Sequence, residues 1–305
     1  MRNLRRFLSR RQNLLACAIV GFYILAAILA PQLAPPDDAD HPSPFKIVGK
    51  SYDKIPHPPS AESPLGTVPG QVDVYHTLVW GTRSALRFGL IVTLTTACLG
   101  VLIGAISGYY GGIINGLVMR ITDAFLAFPA IAGVWLLGQV MMPAYSFGEP
   151  PPLQKVLLDL KLSPVMLTLI MLSWMPYTRL INANVIQLKQ TEYVQAARAV
   201  GARNVRIVLR HLLPNALSPA IVLAARDVGG MVILESAFTF IGLGGATEWG
   251  VLLVTGRDYV IGTSGNPLTY WWVFLPATLA LVFFGIGWNL LGDGLNTLLN
   301  PRASR

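Results

Sequence analysis

The chain has 305 residues, of which 53% are hydrophobic and 12% are charged, and its mean hydropathy is +0.54. This composition excludes a soluble globular domain built on one core and predicts a polytopic membrane protein. The net charge of +8 would suggest nucleic-acid binding in a soluble protein, but here the basic residues lie beside apolar segments, so membrane topology accounts for them and no nucleic-acid partner is expected. Cys17 and Cys98 fall within predicted spans without a CxxC pattern or a neighbouring histidine, so neither a disulfide framework nor a metal site is predicted.

The basic amino-terminal segment MRNLRRFLSRR precedes an apolar run over about residues 14–33, which is long enough to cross ~30 Å of hydrocarbon. The run exceeds the ~7–15 residues of a signal-peptide core, so we favour an uncleaved first span over a cleaved signal peptide. Residues 34–82 follow as a proline-rich external loop. Gly49-Lys50-Ser51 in this loop is not expected to bind nucleotide, because Pro44 stands where a phosphate-binding loop needs glycine.

The second predicted span covers residues 88–109 and carries a glycine at every fourth position: Gly100, Gly104 and Gly108. In lipid, such a stripe lets another helix approach closely, so we expect a helix-packing face, with glycine tolerated by chance as the alternative. The third span is expected over residues 117–142. Arg120 and Asp123 should pair near its cytoplasmic start, and Pro129 should kink it.

The fourth predicted span covers residues 164–186, and the polar loop 187–215 separates it from the fifth span, residues 218–243. The fifth span holds ionisable residues at membrane depth: Arg226, Asp227 and Glu235. Because each isolated charge there costs at least ~2.5 kcal/mol, these side chains should face protein or water. They are candidates either for the lining of a pathway or for a charge network with a partner subunit. A second external loop, PAYSFGEPPPLQKVLLDLKLS, separates the third and fourth spans. A third external loop, which contains Trp249, Arg257 and Asp258, leads to a sixth span that begins near the interfacial pair Trp271-Trp272 and ends near residue 291.

The polar loop has the pattern of two short amphipathic helices in tandem. The first would place Tyr193 and Val200 on one face with two small residues, Ala196 and Ala197, and would end at Gly201 in the left-handed conformation. The second would be capped by Asn204, would end at Pro214 and would have a separate apolar face: Val205, Val208, Leu209 and Leu212. Since alanine leaves little side chain on the exposed face, another protein could approach the first helix closely.

A spaced set of residues in this loop carries a family resemblance: Gln195-Ala196-Ala197, Gly201, His211 and Leu213-Pro214. The set resembles the EAA loop of binding-protein-dependent ABC importer permeases, in which Glu-Ala-Ala is followed by three residues, Gly, nine residues and Ile-x-Leu-Pro. Gln195 and His211 replace the glutamate and the isoleucine of that pattern, and the longer run EYVQAARAVGA with RHLLPN is similar to the peptide-permease branch. The alternative is a basic cytoplasmic loop that merely obeys the positive-inside rule.

Further segments resemble the same family along nearly the whole chain: SPLGTVPGQVDV, MRITDAFLAFPA, WMPYTRLINANV, LESAFTFIGLG and GDGLNTLLNPR. In the first of these, Val68 and Gln71 depart from the family pattern. Adjacent Arg226 and Asp227 are also unusual for the family.

The resemblance implies an all-α polytopic protein with six transmembrane helices, the fold of a type I ABC importer permease and a cytoplasmic coupling helix. It places the chain in the dipeptide, oligopeptide and nickel group, as the C-type permease of a pair. Residues 1–82 would form the cytoplasmic amino terminus, the first span and the external loop. Residues 83–293 would form the transmembrane domain, with the coupling loop at 187–215, and residues 294–305 would form a cytoplasmic tail.

The resemblance also implies partners: a second homologous permease, two ATPase subunits that hold ATP and magnesium, an external substrate-binding protein and membrane lipid. The chain itself would then be a non-catalytic subunit without a cofactor, in the cytoplasmic membrane of a prokaryote, with both termini in the cytoplasm. Contact with the ATPase is expected along the coupling loop: Tyr193, Gln195, Ala196, Ala197, Gly201, Ala202, His211, Leu213 and Pro214.

Two other classes of membrane protein fit the sequence less well. An intramembrane serine protease is disfavoured because Gly262-Thr263-Ser264-Gly265 lies in a predicted external loop and no histidine follows it. A secondary transporter could use the charges of the fifth span, but it would predict inverted repeats, which the sequence does not show. It would also leave the coupling loop unexplained.

Overall fold

The computed structural model describes residues 7, 10–38, 40, 42–49, 53–141, 155, 162–261 and 266–299. The predicted motif at 262–265, Lys50 with Ser51, and the terminal Arg302 and Arg305 lie outside these residues. The described chain forms helices α1 (Arg11–Leu33), α2 (Val74–Tyr110), α3 (Gly112–Ala127), α4 (Ala130–Met141), α5 (Pro164–Leu172), α6 (Met175–Leu188), α7 (Glu192–Ala199), α8 (Asn204–Ile207), α9 (Leu213–Phe240), α10 (Glu248–Ile261) and α11 (Trp271–Leu299). Strands β1 (Thr67–Val68) and β2 (Val72–Asp73) pair as an antiparallel hairpin before α2.

Within the described residues, five segments are long and apolar enough to cross a membrane: Arg11–Leu33, Val74–Tyr110, Pro164–Leu188, Asn204–Phe240 and Leu268–Leu299. The predicted third span is a pair of helices, α3 and α4, bent by 79°, and it gives a sixth crossing if the pair is one span. Pro129 explains the break, because proline forces Phe128 out of the helical region, to φ −80° and ψ 125°. The predicted all-α polytopic fold and the kink at Pro129 are thus confirmed.

Two helices extend into regions predicted to be loops. Helix α2 begins at Val74, well before the predicted start of the second span, and Asp73 caps it by accepting a 2.8 Å hydrogen bond from the His76 amide. The predicted third external loop contains α10, whose Trp249 is fully buried. Just before α2, Gln71 stands in the left-handed region with φ 58°. That residue is one of the two that depart from the family pattern.

The external end of α2 holds α1 by bonding its free carbonyl groups. Pro31 in α1 lacks the N–H that would bond the Ala27 carbonyl, and Arg83 Nε donates a 2.6 Å hydrogen bond to that oxygen instead. Trp80 Nε1 donates to the Ala34 carbonyl at 2.9 Å. Because these backbone groups are satisfied by protein, α1 can end against α2 without exposing them to lipid.

The glycine stripe of α2 lies against α6. A Cβ at Gly104 would stand 2.6 Å from the Thr178 carbonyl oxygen, and one at Gly108 would stand 2.9 Å from that of Asn182. At the third glycine, Thr178 Oγ1 donates a 3.2 Å hydrogen bond to the Gly100 carbonyl. The absence of side chains therefore lets the two backbones approach to van der Waals contact.

Candidate functional site

The candidate coupling loop runs from the end of α6 through α7 and α8 into α9. Helix α7 ends in a Schellman turn, in which the Ala202 amide donates to the Ala197 carbonyl at 3.0 Å. Gly201 occupies the left-handed position of that turn with φ 80°, as predicted. After this turn, Ile207 of α8 packs against residues of the spans.

A different set of apolar residues from the predicted one fixes this loop to the spans. Val194 of α7, Ile207 of α8 and Leu212 are fully buried, in one cluster with Tyr177, Ile181 and Val185 of α6. The apolar face predicted for the second helix is only partly right, because Leu212 is buried and Val208 half-buried but Val205 and Leu209 are 66% and 58% exposed. The cause is a π-helical turn over Val208–Leu212, in which residues five apart share a face, so that Ile207 and Leu212 are buried together.

The second predicted helix also begins and continues differently from the prediction. Asn204 is its first residue rather than its cap, and the preceding Arg203 makes no side-chain cap bond. Pro214 does not end the helix. Pro214 has no N–H, so the backbone hydrogen bond just before it, from the Leu213 amide to the Val208 carbonyl five residues back, closes the π-helical turn. The chain then continues directly into α9.

Only some of the residues proposed to meet an ATPase lie at the exposed surface of the loop. Five of them are exposed: Tyr193, Gln195, Ala196, Gly201 and Pro214. The other four are half-buried: Ala197, Ala202, His211 and Leu213. We call the exposed part of α7 with Gly201 the coupling surface. The Gln195 side chain turns back to its own loop and donates to the Gln190 carbonyl at 3.1 Å.

Tyr109, near the end of α2, is the residue around which this loop is anchored. Its hydroxyl donates a 2.6 Å hydrogen bond to Asn204 Oδ1, and its carbonyl accepts a 2.5 Å bond from Lys189 Nζ. The Arg198 guanidinium of α7 lies 5.4 Å from the ring centroid, a cation–π distance. Sequence reasoning missed Tyr109, because a tyrosine at the end of an apolar run is typical of an interfacial anchor in any membrane protein.

The charges of the fifth span all have partners within this chain. Arg226 pairs with Asp293 of α11, and Asp227 accepts a 2.6 Å hydrogen bond from the Tyr177 hydroxyl of α6. Glu235 is fully buried and accepts bonds from the Thr239 hydroxyl and from Thr247. It thereby holds the turn that connects α9 to α10.

The charge pair expected in the third span is not formed as predicted. Asp123 pairs with Arg179 of α6 rather than with Arg120 on its own helix. A tertiary neighbour therefore replaces the local i, i+3 partner.

Comparison with known proteins gives matches over nearly the whole chain. Residues 100–305 match the family of binding-protein-dependent transport system inner membrane components, and residues 2–50 match the N-terminal TM domain of oligopeptide transport permease C. The dipeptide transport system permease protein DppC of Alkalihalophilus pseudofirmus is 32% identical, covering 97% of this chain and 88% of the relative. The probable D,D-dipeptide transport system permease protein DdpC of Escherichia coli is 29% identical, with 94% and 87% covered. The glutathione transport system permease protein GsiD of Pectobacterium atrosepticum is 29% identical, with 98% and 89% covered.

The family match covers more than half of the chain, and it includes the α2 glycine stripe, the coupling loop and the charges of the fifth span. The fold agrees with it. The chain therefore belongs to the inner membrane components of binding-protein-dependent transport systems, the permease subunits of ABC importers.

Proposed function

We propose that the chain is one permease subunit of a peptide importer, forming half of a translocation pathway for dipeptides or oligopeptides. The names of its relatives support this substrate class, since they include two dipeptide systems and a glutathione system. A second, homologous permease completes the pathway and an external binding protein delivers the peptide. Two ATPase subunits bind ATP and magnesium, so this chain is a non-catalytic subunit.

The coupling loop transmits the movement of the ATPases in this proposal. The observation that supports it best is that the coupling surface is exposed, while the buried side of the same loop packs against three spans. Tyr109 connects the loop to α2, and the buried Val194, Ile207 and Leu212 connect it to α6 and α9. A partner that pulls or pushes α7 would therefore move these spans with it.

The proposed orientation places the coupling loop and both termini in the cytoplasm. Exposed arginines of the loop support this orientation by the positive-inside rule: Arg198, Arg203, Arg206 and Arg210. A secondary transporter driven by the charges of the fifth span is not favoured, because Arg226, Asp227 and Glu235 are engaged by partners in the same chain.

The test is affinity purification of the tagged chain from membranes, with mass spectrometry of the proteins that accompany it. The parent chain should recover an ATPase and a second permease. Ala196→Glu places a charge on the coupling surface and should lose the ATPase while keeping the second permease. Gln190→Glu adds the same charge at an exposed site of the loop outside α7 and should recover both. Recovery of the parent chain alone would overturn the proposal.

A further inference from the structure

The ion pair between Asp123 of α3 and Arg179 of α6 lies near the middle of the membrane. Arg179 is nine residues before the end of α6 at Leu188, and Asp123 is eleven residues after the start of α3 at Gly112. Both of these helix ends lie on the side of the coupling loop, because α6 leads into that loop and α3 follows the end of α2 that anchors it. Nine to eleven helical residues span roughly 14–17 Å, which is about half of the ~30 Å hydrocarbon core.

This pair is exposed on the surface of the chain, although it lies at membrane depth. The Arg179 and Asp123 side chains are 54% and 55% exposed. Ionisable side chains at such a depth almost always face a water-filled cavity or the interior of a bundle, because lipid does not solvate them. The face of α3 and α6 that carries the pair therefore does not meet lipid.

Both helices that carry the pair are interrupted one turn away from it. Helix α3 ends four residues after Asp123, at Ala127, and the chain bends by 79° at Pro129 before α4 begins. Helix α6 begins four residues before Arg179, after the non-helical Ser173–Trp174. Irregular backbone at membrane depth occurs only where it is buried in protein or lines a water-filled cavity, and Pro129 is exposed on the chain. The backbone at the bend therefore leads to the same conclusion as the ion pair.

The contact between the two charged side chains leaves polar groups of both signs free. The guanidinium donates to Oδ1 of Asp123 through one terminal nitrogen, Nη2. Among the described residues, Oδ2 of Asp123 and the Nε and Nη1 groups of Arg179 have no hydrogen-bond partner. The pair therefore presents a negatively charged acceptor next to positively charged donors.

An apolar cavity of about 360 Å³ begins at the residue after Asp123 and opens between α3, α4 and α5. Its lining includes alanine, aromatic and aliphatic side chains: Ala124, Phe125, Phe128, Met171 and Leu172. The volume falls within the roughly 300–1,000 Å³ of small-molecule sites, in which apolar walls surround a few polar groups. The ion pair and the cavity together have this composition.

We propose that this face lines the translocation pathway midway through the membrane, where Asp123 binds the terminal ammonium group of the transported peptide and Arg179 binds its terminal carboxylate. The inference rests on the proposed peptide-importer function. An aspartate and an arginine in contact suit a dipeptide, because two residues span at most about 7 Å and both charged ends can reach the pair. Charge-assisted hydrogen bonds at both ends favour such a zwitterion over a substrate with one charge. The apolar cavity accepts one side chain of the peptide.

The first test uses the complete transporter in phosphatidylcholine vesicles, with loaded binding protein outside and ATP supplied to the ATPases. Asp123→Asn should lower dipeptide uptake per ATP hydrolysed roughly tenfold, the effect of losing one charged hydrogen bond. Asp123→Glu should recover part of the uptake, because it restores the carboxylate. Asp293→Asn is the matched control. It makes the same change in the exposed pair with Arg226, near the end of α11 rather than midway along a span, and should transport like the parent.

The thermal unfolding temperature separates substrate binding from a structural role of the pair. Exposed ion pairs contribute little to stability, and asparagine still accepts a hydrogen bond from Arg179. Purified Asp123→Asn should therefore unfold at the same temperature as the parent. A lower unfolding temperature together with the loss of uptake would assign the pair a structural role and would overturn the proposal.

A second test asks whether the charged ends of the peptide are recognised. Ala127→Cys, with Cys17 and Cys98 replaced by alanine, places a single thiol of this chain one helical turn from Asp123. The purified complete transporter is used without binding protein, so the selectivity of that protein does not enter. Dialanine should slow maleimide labelling of the thiol, whereas N-acetyl-dialanine and dialanine amide, which each lack one charge, should slow it far less. Equal protection by the three ligands, or protection by none, would overturn the assignment of the two ends.

The cavity is tested by a ratio of two uptake rates within one variant, so that a change in assembly cancels. Ala124→Phe places a ring at the cavity wall. It should lower uptake of diphenylalanine severalfold relative to uptake of dialanine, compared with the same ratio in the parent. An unchanged ratio would overturn the role of the cavity.

The outcomes separate the inference from the function on which it rests. A parent transporter that imports no peptide would overturn the proposed function. A parent that imports dipeptide, with Asp123→Asn equally efficient per ATP, would overturn the pathway site alone. Loss of the second permease from purified Asp123→Asn would assign this face to the interface between the two permeases and would also overturn the site.

Discussion

The phenol oxygen of Tyr109, one residue before the end of α2, donates a 2.6 Å hydrogen bond to Oδ1 of Asn204, the first residue of α8. The same tyrosine contacts Lys189 at the start of the loop and Arg198 on α7. Three separate parts of the coupling loop are therefore tied to one residue of a membrane span. If α7 moves, α2 must therefore move with it or these contacts must break.

Replacing Tyr109 should weaken the link between ATP hydrolysis and transport. Tyr109→Phe keeps the ring and loses one hydrogen bond of about 1 kcal/mol, so we expect uptake per ATP to fall by no more than about fivefold. Tyr109→Ala also removes the ring that faces Arg198 and should reduce uptake per ATP hydrolysed further. Both rates can be measured in proteoliposomes. Tyr110→Phe changes the neighbouring exposed tyrosine and should have no effect; an equal loss there would remove the special role of Tyr109.

Gly201 allows a test that separates backbone strain from surface contact. A Cβ at this position meets nothing within 4 Å, but φ 80° disfavours any residue with a side chain, by roughly 1–2 kcal/mol. Gly201→Asn should be tolerated, since asparagine accepts the left-handed region more readily. Gly201→Trp should leave the spans folded and should lose ATPase binding, measured by copurification. Normal binding and uptake by the tryptophan variant would show that no partner approaches this turn.

Local sequence features predicted the backbone breaks and the close helix approach correctly. Pro129 and Gly201 act through their own covalent structure, so their effects follow from the residue type alone. The apolar runs likewise predict the spans, because burial in lipid requires a length of helix and little else. The effect of Gly104 also follows from its residue type, since a glycine leaves room for the backbone of any neighbouring helix.

Features that depend on distant partners could not be predicted from the sequence. Asp123 takes Arg179 as its partner because packing of α3 beside α6 brings the two together. Helix α2 begins at Val74, before the predicted start of the second span at residue 88, and its Arg83 bonds the distant Ala27 carbonyl, which the sequence does not reveal. The buried face of the coupling loop was missed because a π-helical turn changes the residue spacing on which amphipathic patterns depend.

The buried carboxylate of Glu235 should be required for stability. It accepts hydrogen bonds from the backbone amides of Ala246 and Thr247, at 3.0 and 3.1 Å, and from hydroxyl groups nearby. Glu235→Ala would leave those amides unsatisfied, at a cost of at least ~2 kcal/mol, and should lower the thermal unfolding temperature of the purified permease. Glu235→Gln retains one acceptor oxygen and should lose less. A transport defect in Glu235→Ala at unchanged unfolding temperature would instead indicate a direct role in the pathway.

The close packing of α2 against α6 should not tolerate a large side chain in the glycine stripe. Gly104→Leu would drive a side chain into the Thr178 carbonyl and Ile181, so the helices must separate, at a cost of about 1–3 kcal/mol or more. The measurement is the fraction of chain that remains folded in detergent during heating. Gly116→Leu makes the same change on α3, where nothing lies within 4 Å of the added Cβ, and should unfold like the parent. Because Gly104 lies on the span that Tyr109 joins to the coupling loop, Gly104→Leu should also lower uptake per ATP; equal stability of the two leucine variants would contradict the close approach of α2 and α6.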